Sequence, residues 1–319
     1  MEHLFSMSAY QFDVDEYGGV SRAIEKIKDA GADGIELLTG YFDPDPMFKG
    51  IAKGIHLPYA TDWYSAWDGM RYDHPADDES IRYRSYGTNR KEIIETLTSA
   101  VNYASSLSPA YGVVHASNVR MDEIMHFRYR DSDEDIINAL TKLLNGVSAS
   151  FPSGEPPFRI VLENLWWPGL TMIDDTGFTV LEEGLNFDNW GLCVDVGHLM
   201  NRLGNCREEK EGIENVLKIV KEYPKEMIDR IDVVHLHMSL SADYINKCME
   251  DTAELKVDDA DIMPKAYGHI CKVDQHRPFT DASCAKILNI LKPNYVTHEI
   301  SAPTPSERIS GFKGQRSLL

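Results

Sequence analysis

Residues 191–200 read Gly-Leu-Cys-Val-Asp-Val-Gly-His-Leu-Met, an apolar run that ends in an acid and is followed by a histidine. The run itself is typical of a strand in a sheet that is covered on both faces. Asp195 and His198 therefore stand where a buried strand ends. The same arrangement occurs in residues 159–164, Arg-Ile-Val-Leu-Glu-Asn, where Glu163 closes the run. Acids at the ends of buried strands indicate that the fold brings compensating groups to them.

Similar apolar runs recur along the chain, and most are separated by segments in which apolar residues follow the spacing of a helix. The predicted strands are residues 3–7, 34–38, 54–57, 111–115, 159–163, 191–195, 231–237 and 295–300. The clearest predicted helices are residues 20–30, a segment that starts at Thr88, and residues 134–147, 208–221 and 283–291. Alternating strands and helices predict a parallel sheet, and eight strands predict a closed (βα)₈ TIM barrel. With no linker in the sequence, residues 1–319 are expected to form a single domain.

Two connections are longer than such a barrel needs, namely residues 60–86 and 238–271. Both are expected to be enlarged loops on the catalytic face. We predict that Trp63 and Trp67 in the first loop contact the substrate; the alternative is that they pack the loop onto the barrel rim. Candidate phosphate contacts are Arg71, Arg82, Arg84 and Arg277, because guanidinium binds phosphate in a bidentate manner.

Histidine or acidic residues end nearly every predicted strand after the second. They are His56, His115, Glu163, Asp195, His198, His235, His237 and Glu299, together with Asp274 and His276 before the last strand. In a barrel these ends converge around one axis, and so many ionisable groups would be unfavourable there without cations. The pattern therefore predicts a divalent metal site. Imidazole and carboxylate ligands without thiolate suit Zn²⁺, Mn²⁺, Fe²⁺ or Co²⁺.

One further acid, Glu36 in Gly-Ile-Glu-Leu-Leu, falls at the second predicted strand. It is expected to contact substrate or to satisfy polar groups at the barrel rim, and we assign it no specific role from the sequence.

Composition limits the possible partners and the cellular location. Lys and Arg total 32 against 51 Asp and Glu, which gives a formal net charge of -19. Such a chain repels polyanions, so nucleic acid is not expected to be a partner. We see no signal peptide and no apolar run that could span a membrane. The five cysteines are scattered, which predicts a protein of the reducing cytoplasm.

The motifs Val-Leu-Glu-Asn, Cys-Val-Asp-Val-Gly-His and Asp-x-His resemble those of the xylose-isomerase-like TIM-barrel superfamily, which contains endonuclease IV and the sugar or sugar-phosphate isomerases and epimerases. The resemblance extends from about His56 to Glu299. It implies two or three metal ions per chain, with zinc favoured. The implied ligand sets are His56, His115 and Glu163 for the first ion, Glu163, Asp195, His235 and Glu299 for the second, and His198, Asp274 and His276 for the third.

Two departures from the endonuclease IV pattern bear on these assignments. The seventh strand reads His235-Leu236-His237-Met238 where endonuclease IV has His-Leu-Asn-Asp, so either histidine could be the ligand; we favour His235 and assign His237 to substrate binding. The Asp-x-His pair is followed by Arg277-Pro278-Phe279 instead of a glycine-rich segment. Arg277, one of the candidate phosphate contacts, is assigned to substrate binding together with His237, Trp63 and Trp67.

The full ligand set predicts a hydrolase of a phosphoester, above all a phosphodiester, in a non-polymeric metabolite. Glu163 would bridge two ions, and Glu299 would bind metal and orient the nucleophile. The alternative is an isomerase or epimerase of a sugar or sugar phosphate, in which Glu163 and Glu299 exchange a proton from opposite faces of the substrate. An apurinic endonuclease is a minor alternative, and a barrel that only binds a ligand would show gaps in the ligand set.

Overall fold

In the computed structural model, which describes residues 1–70, 78–250 and 262–319, parallel strands form a closed barrel. The strands are β1 (Glu2–Ser8), β2 (Gly34–Leu38), β3 (Ala52–His56), β4 (Tyr111–His115), β5 (Arg159–Glu163), β6 (Trp190–Asp195), β7 (Ile231–His235) and β8 (Tyr295–His298). Each strand pairs with the next along the chain, and β8 also pairs with β1, so the sheet is closed. The predicted (βα)₈ TIM barrel is confirmed.

Helices connect the strands. They are α1 (Gln11–Tyr17), α2 (Val20–Asp29), α3 (Trp63–Trp67), α4 (Asp78–Ser85), α5 (Arg90–Ser105), α6 (Asp133–Ser148), α7 (Thr176–Gly184), α8 (Val196–Leu203), α9 (Glu209–Val220), α10 (Lys225–Asp229), α11 (Ala242–Glu250), α12 (Ile262–Val273), α13 (Ala285–Leu291) and α14 (Pro305–Arg316). Short 3-10 helices cover Pro46–Phe48 and Ala282–Cys284. Among the described helices, none combines the length and the apolar character that a bilayer crossing would require.

Side-chain caps determine where two of the predicted helices begin. The helix expected from Thr88 starts at Arg90, because the Asn89 side chain accepts a hydrogen bond from the backbone N–H of Glu92. At α6, Ser132 and Asp135 form a reciprocal capping box. Such caps satisfy N–H groups that have no acceptor within the helix.

An apolar cluster lies in the barrel interior below the strand ends. It contains the side chains of Leu4, Tyr111, Val113, Val161, Cys193 and Val233. Because side chains alternate between the two faces of a strand, the residues two positions after Val161, Cys193 and Val233 also point inward. Those residues are Glu163, Asp195 and His235. On three adjacent strands, β5, β6 and β7, the inward-facing side chain is apolar at one position and ionisable two residues later.

The seventh strand is shorter than predicted. It was expected to include His237 but ends at His235, where it still pairs with β8. Beyond that point the backbone of Met238 forms an isolated antiparallel bridge with Arg277. This bridge brings the segment that contains Asp274 and His276 beside the end of β7.

Candidate metal centre

The predicted ligands lie together at the C-terminal ends of the strands. His56, His115, Glu163, Asp195 and His235 each end a strand, and Glu299 follows β8 directly. Glu163, Asp195 and His235 are almost completely buried. In a parallel barrel this end is the one where loops and strand termini form active sites.

Two histidines and a carboxylate form the first group. The Nε2 atoms of His56 and His115 each lie 3.3 Å from Oε2 of Glu163 and 3.2 Å from each other. The Nδ1 atom of His56 lies 3.0 Å from the carbonyl oxygen of Leu57. A carbonyl can only accept, so Nδ1 carries the proton and the lone pair of Nε2 faces Glu163 in the neutral ring.

A second group surrounds a single nitrogen atom. The Nδ1 atom of His235 lies 3.2 Å from Oε1 of Glu163, 3.4 Å from Oε1 of Glu299 and 3.6 Å from Oδ2 of Asp195. Asp195 is fixed in this position by Asn164, whose side chain accepts from the backbone N–H of Asp195 and donates to its carbonyl. Three carboxylates around one imidazole nitrogen form a ligand set for a cation.

The third group contains His198, Asp274, His276 and also His237. Oδ2 of Asp274 lies 3.3 Å from Nε2 of His198 and 2.5 Å from Nε2 of His276. The Nδ1 atom of His198 lies 2.8 Å from the carbonyl oxygen of Asn164, so its Nε2 is the nitrogen available to an ion. His237 approaches Asp195, with 2.9 Å between Nε2 and Oδ2.

Polar side chains that the sequence did not single out hold Asp274. Its Oδ1 atom accepts from the Asn201 amide at 3.3 Å and from the Ser239 hydroxyl at 3.2 Å. These bonds leave Oδ2 for the histidines. Asn201 lies on α8 and Ser239 lies beyond β7, so only the folded barrel brings them to Asp274.

Without an ion, protonated histidines balance the buried carboxylates. Burial raises the pKa of Glu163, but the charge of His235 and the hydrogen bonds from His198 and His235 outweigh this effect and hold that pKa well below its usual range. Burial lowers the pKa of His198, and the carboxylates of Asp195 and Asp274 outweigh burial and raise it. Burial lowers the pKa of His115 to about 3, so this ring is neutral. Protons thus supply positive charge where a metal ion could supply it.

The residues fit a divalent metal ion. Oε2 of Glu163 and Nδ1 of His237 are buried and make no hydrogen bond within the described residues. The described residues contain five groups of three or four potential ligands, and within each group the ligand atoms lie within 4.8 Å of one another. Together the groups include every predicted ligand. Imidazole nitrogens and carboxylate oxygens that converge in this way are compatible with Zn²⁺, Mn²⁺, Fe²⁺ or Co²⁺.

The predicted substrate contacts have different locations. Trp63 and Trp67 lie on α3 and are buried in the main hydrophobic core, and the Trp63 indole N–H donates to the Ser117 carbonyl. None of the ring contacts that these two residues make within the described residues involves a predicted metal ligand. Arg277 is exposed and directly follows His276.

The other candidate arginines belong to the first long loop. Arg82 is exposed on α4, whereas Arg84 on the same helix is buried. Arg71 lies outside the described residues. The ion pairs that Glu163, Asp195 and Glu299 make within the described residues are all with histidines.

No protein-family model matches the chain, and no curated protein sequence is significantly similar to it. Solved structures share its fold. An L-ribulose 3-epimerase has a TM-score of 0.55 and 14% identity, with 99% of this chain and 92% of that chain covered. A D-allulose 3-epimerase from Methylomonas sp., in complex with D-allulose, has a TM-score of 0.51 and 13% identity, with 98% and 94% covered. Endonuclease IV from Thermus thermophilus has a TM-score of 0.51 and 13% identity, with 100% and 98% covered.

These structures bear out the superfamily resemblance at the level of the fold. They also correct the predicted function. The expected phosphodiester hydrolase is wrong, since the similar structures are mainly sugar epimerases and the isomerase or epimerase alternative fits them better. The prediction failed because clustered metal ligands serve proton exchange as well as hydrolysis. A ligand set taken from the sequence therefore does not distinguish the two reactions.

Proposed function

We propose that this chain is a metal-dependent isomerase or epimerase that acts on a sugar. The observation that carries the proposal is the shared contact of Glu163 and Glu299 with Nδ1 of His235, at 3.2 Å and 3.4 Å. Two carboxylates thereby flank one position at the mouth of the barrel. A reaction that moves a proton between two faces of a carbon needs this arrangement of acid and base.

Glu163, Asp195, His235 and Glu299 would hold the ion that this reaction requires. When bound, a divalent ion polarises the substrate carbonyl and its neighbouring hydroxyl and so acidifies the C–H bond between them. Zinc is our first choice, because the ligands are imidazole and carboxylate. The groups around His115 and His276 would accommodate further ions, which makes two or three per chain.

Each carboxylate has a defined task in this scheme. The carboxylate of Glu163 removes the proton from the carbon next to the carbonyl, and the electron pair of that C–H bond moves towards the carbonyl oxygen. Glu299, in its protonated form, then returns a proton to the same carbon from the opposite face. The sugar is epimerised with no net gain or loss of atoms, and exchange of protons with water then restores ionised Glu163 and protonated Glu299; in the reverse direction the two residues exchange roles.

The substrate class is supported by charge as well as by fold. A chain with a formal net charge of -19 favours a small uncharged polyol over a polyanion such as nucleic acid. The similar L-ribulose and D-allulose epimerases are named for keto sugars. We therefore expect a ketopentose or ketohexose, with the sugar phosphates as the second group to assay.

The experiment is proton exchange in D₂O. Zinc-loaded protein is incubated with a panel of ketopentoses and ketohexoses, and ¹H NMR follows deuterium uptake at the carbon next to the carbonyl. We expect uptake and formation of the epimer with the wild type, and a rate reduced by about 10²-fold or more in Glu163→Gln and in Glu299→Gln. The matched control is Glu123→Gln, a buried glutamate that pairs with Arg130 away from the cluster.

Metal content is measured on the same samples. Exchange that persists in both glutamine variants would contradict the assigned roles. Absence of exchange with every sugar and sugar phosphate in metal-loaded wild type would contradict the function.

A further inference from the structure

Glu36 is a buried carboxylate that the scheme above does not use. It lies on β2 inside the barrel, and its side chain is 1% exposed. An ionised carboxylate in such a place costs several kcal/mol unless hydrogen bonds and opposite charge compensate it. Its contacts therefore indicate what this residue stabilises.

Both oxygen atoms of Glu36 have defined neighbours. Oε2 accepts hydrogen bonds from the hydroxyl of Tyr111 at 2.6 Å and from the hydroxyl of Thr297 at 2.8 Å. Oε1 lies 3.0 Å from Nε2 of His235. Strands β4 and β8 thus hold one oxygen and direct the other towards the histidine on β7.

The two atoms that meet in the Glu36–His235 contact have no other hydrogen-bond partner within the described residues. Within the described residues, neither Oε1 of Glu36 nor Nε2 of His235 makes a hydrogen bond with any other group, although both are buried. The two atoms are 3.0 Å apart, which is hydrogen-bonding distance. A carboxylate beside Nε2 favours the ring in which that nitrogen carries the proton.

The other nitrogen of the same ring faces the metal ligands. Nδ1 of His235 is the atom around which Glu163, Asp195 and Glu299 converge. A proton on Nε2 leaves the lone pair of a neutral ring on Nδ1. The ring would then present a ligand atom to the three carboxylates and an N–H group to Glu36.

We propose that Glu36 is a positioning residue which, held by Tyr111 and Thr297, keeps the proton of His235 on Nε2 and so presents Nδ1 to the metal ion. This inference rests on the proposed metal-dependent function. It also selects His235 over His237 as the histidine of the seventh strand that serves the ion between Glu163 and Glu299. Carboxylates that orient a ligating histidine typically change metal affinity by 10- to 100-fold.

The test compares the zinc affinity of the full-length wild type and Glu36→Gln by competition with a chelating indicator. We expect an affinity about 10- to 100-fold weaker in the variant. The ¹⁵N shifts of the His235 ring in zinc-loaded protein should show protonated Nε2 in the wild type and a changed distribution in Glu36→Gln. When zinc is saturating, the turnover number of Glu36→Gln should be closer to the wild-type value than its zinc affinity is. Glu123→Gln is the control and should bind zinc like the wild type.

A second pair of variants covers the case in which Glu36→Gln does not fold. Tyr111→Phe removes one hydroxyl from Glu36 and should weaken zinc binding in the same direction but less. Its control is Tyr223→Phe, because Tyr223 is also buried and its hydroxyl donates to the Met172 carbonyl.

Unchanged zinc affinity in both Glu36→Gln and Tyr111→Phe would overturn the inference. So would wild-type protein in which zinc is bound through Nε2 of His235. A wild type that binds zinc but epimerises no sugar would overturn the proposed function alone, and the affinity comparison would still decide the role of Glu36.

Discussion

The imidazole rings of His237 and His276 stack on each other, with their centroids 4.0 Å apart and their planes inclined by 4°. Behind His237 lies Gly197, the second residue of α8. A Cβ atom on Gly197 would lie 2.1 Å from Cε1 and 2.4 Å from Nδ1 of His237. The absence of a side chain at Gly197 therefore allows His237, and with it the stack, to occupy this place.

We expect Gly197→Ala to displace His237 and to weaken ion binding at the group that contains His198, Asp274 and His276. Elemental analysis should find about one ion fewer per chain, while circular dichroism shows an intact barrel. Gly314→Ala is the control, since nothing lies within 4 Å of a Cβ at that position. Equal metal content in the two variants would show that the stack has no role in ion binding.

Removal of the metal should make stability fall in alkaline solution. Burial lowers the pKa of His276, but Asp274 outweighs burial and raises the pKa to about 9, against an ordinary value of 6.5. A raised pKa in the folded state means that protonated His276 stabilises the fold fully below about pH 6.5 and that this contribution is lost as pH rises through about 9. Its magnitude is about 3 kcal/mol.

Urea unfolding of chelator-treated protein between pH 6.5 and 9.5 measures this effect. We expect the free energy of unfolding to fall with pH, and to fall less in His276→Gln or in zinc-loaded wild type, where a metal ion replaces the proton. Equal stability of the metal-free wild type at both ends of the range would contradict the assignment.

The sequence predicted the strands best where an apolar run has an abrupt end. Strands β2, β4 and β5 have their predicted bounds; Gly34 begins β2, His115 ends β4 and Glu163 ends β5. The seventh strand was predicted two residues too long, since His235-Leu236-His237 continues the alternation of a strand. Helix α3, a short helix within a long aromatic loop, was not predicted because it has little helical periodicity of its own.

The candidate ligands could be predicted because strand ends converge in any closed barrel. The role of Glu36 could not be predicted, because its contacts join β2 to β4, β7 and β8 and depend on the register of the closed sheet. The hydrolase prediction failed for another reason. The ligand set read from the sequence already placed Glu163 and Glu299 around one ion, and that arrangement serves proton exchange as well as hydrolysis.

Arg277 offers a way to find out whether the sugar carries a phosphate. Its side chain is exposed and makes no hydrogen bond or ion pair within the described residues, and it follows His276 directly. If the substrate is phosphorylated, Arg277→Ala should raise KM by about 10-fold, because a charge-assisted hydrogen bond is lost, and leave the melting temperature unchanged. With a neutral sugar KM should not change. Arg22→Ala, which changes an exposed arginine on α2, is the control; an equal KM increase in both variants would show that the effect of Arg277→Ala is not a specific phosphate contact.

Substitution of Trp63 tests whether this residue packs in the core or binds the substrate. Its side chain is 1% exposed and its indole N–H donates to the Ser117 carbonyl at 2.8 Å. Trp63→Phe would leave that carbonyl unsatisfied and open a small cavity, so we expect the free energy of unfolding to fall by about 2–4 kcal/mol. At a temperature where the variant is folded, KM for the sugar should stay within about twofold, because the indole has almost no surface available to a ligand. Urea unfolding and steady-state kinetics on one preparation measure both quantities. A large rise in KM with an unchanged free energy of unfolding would instead show that Trp63 contacts the substrate, as the sequence predicted.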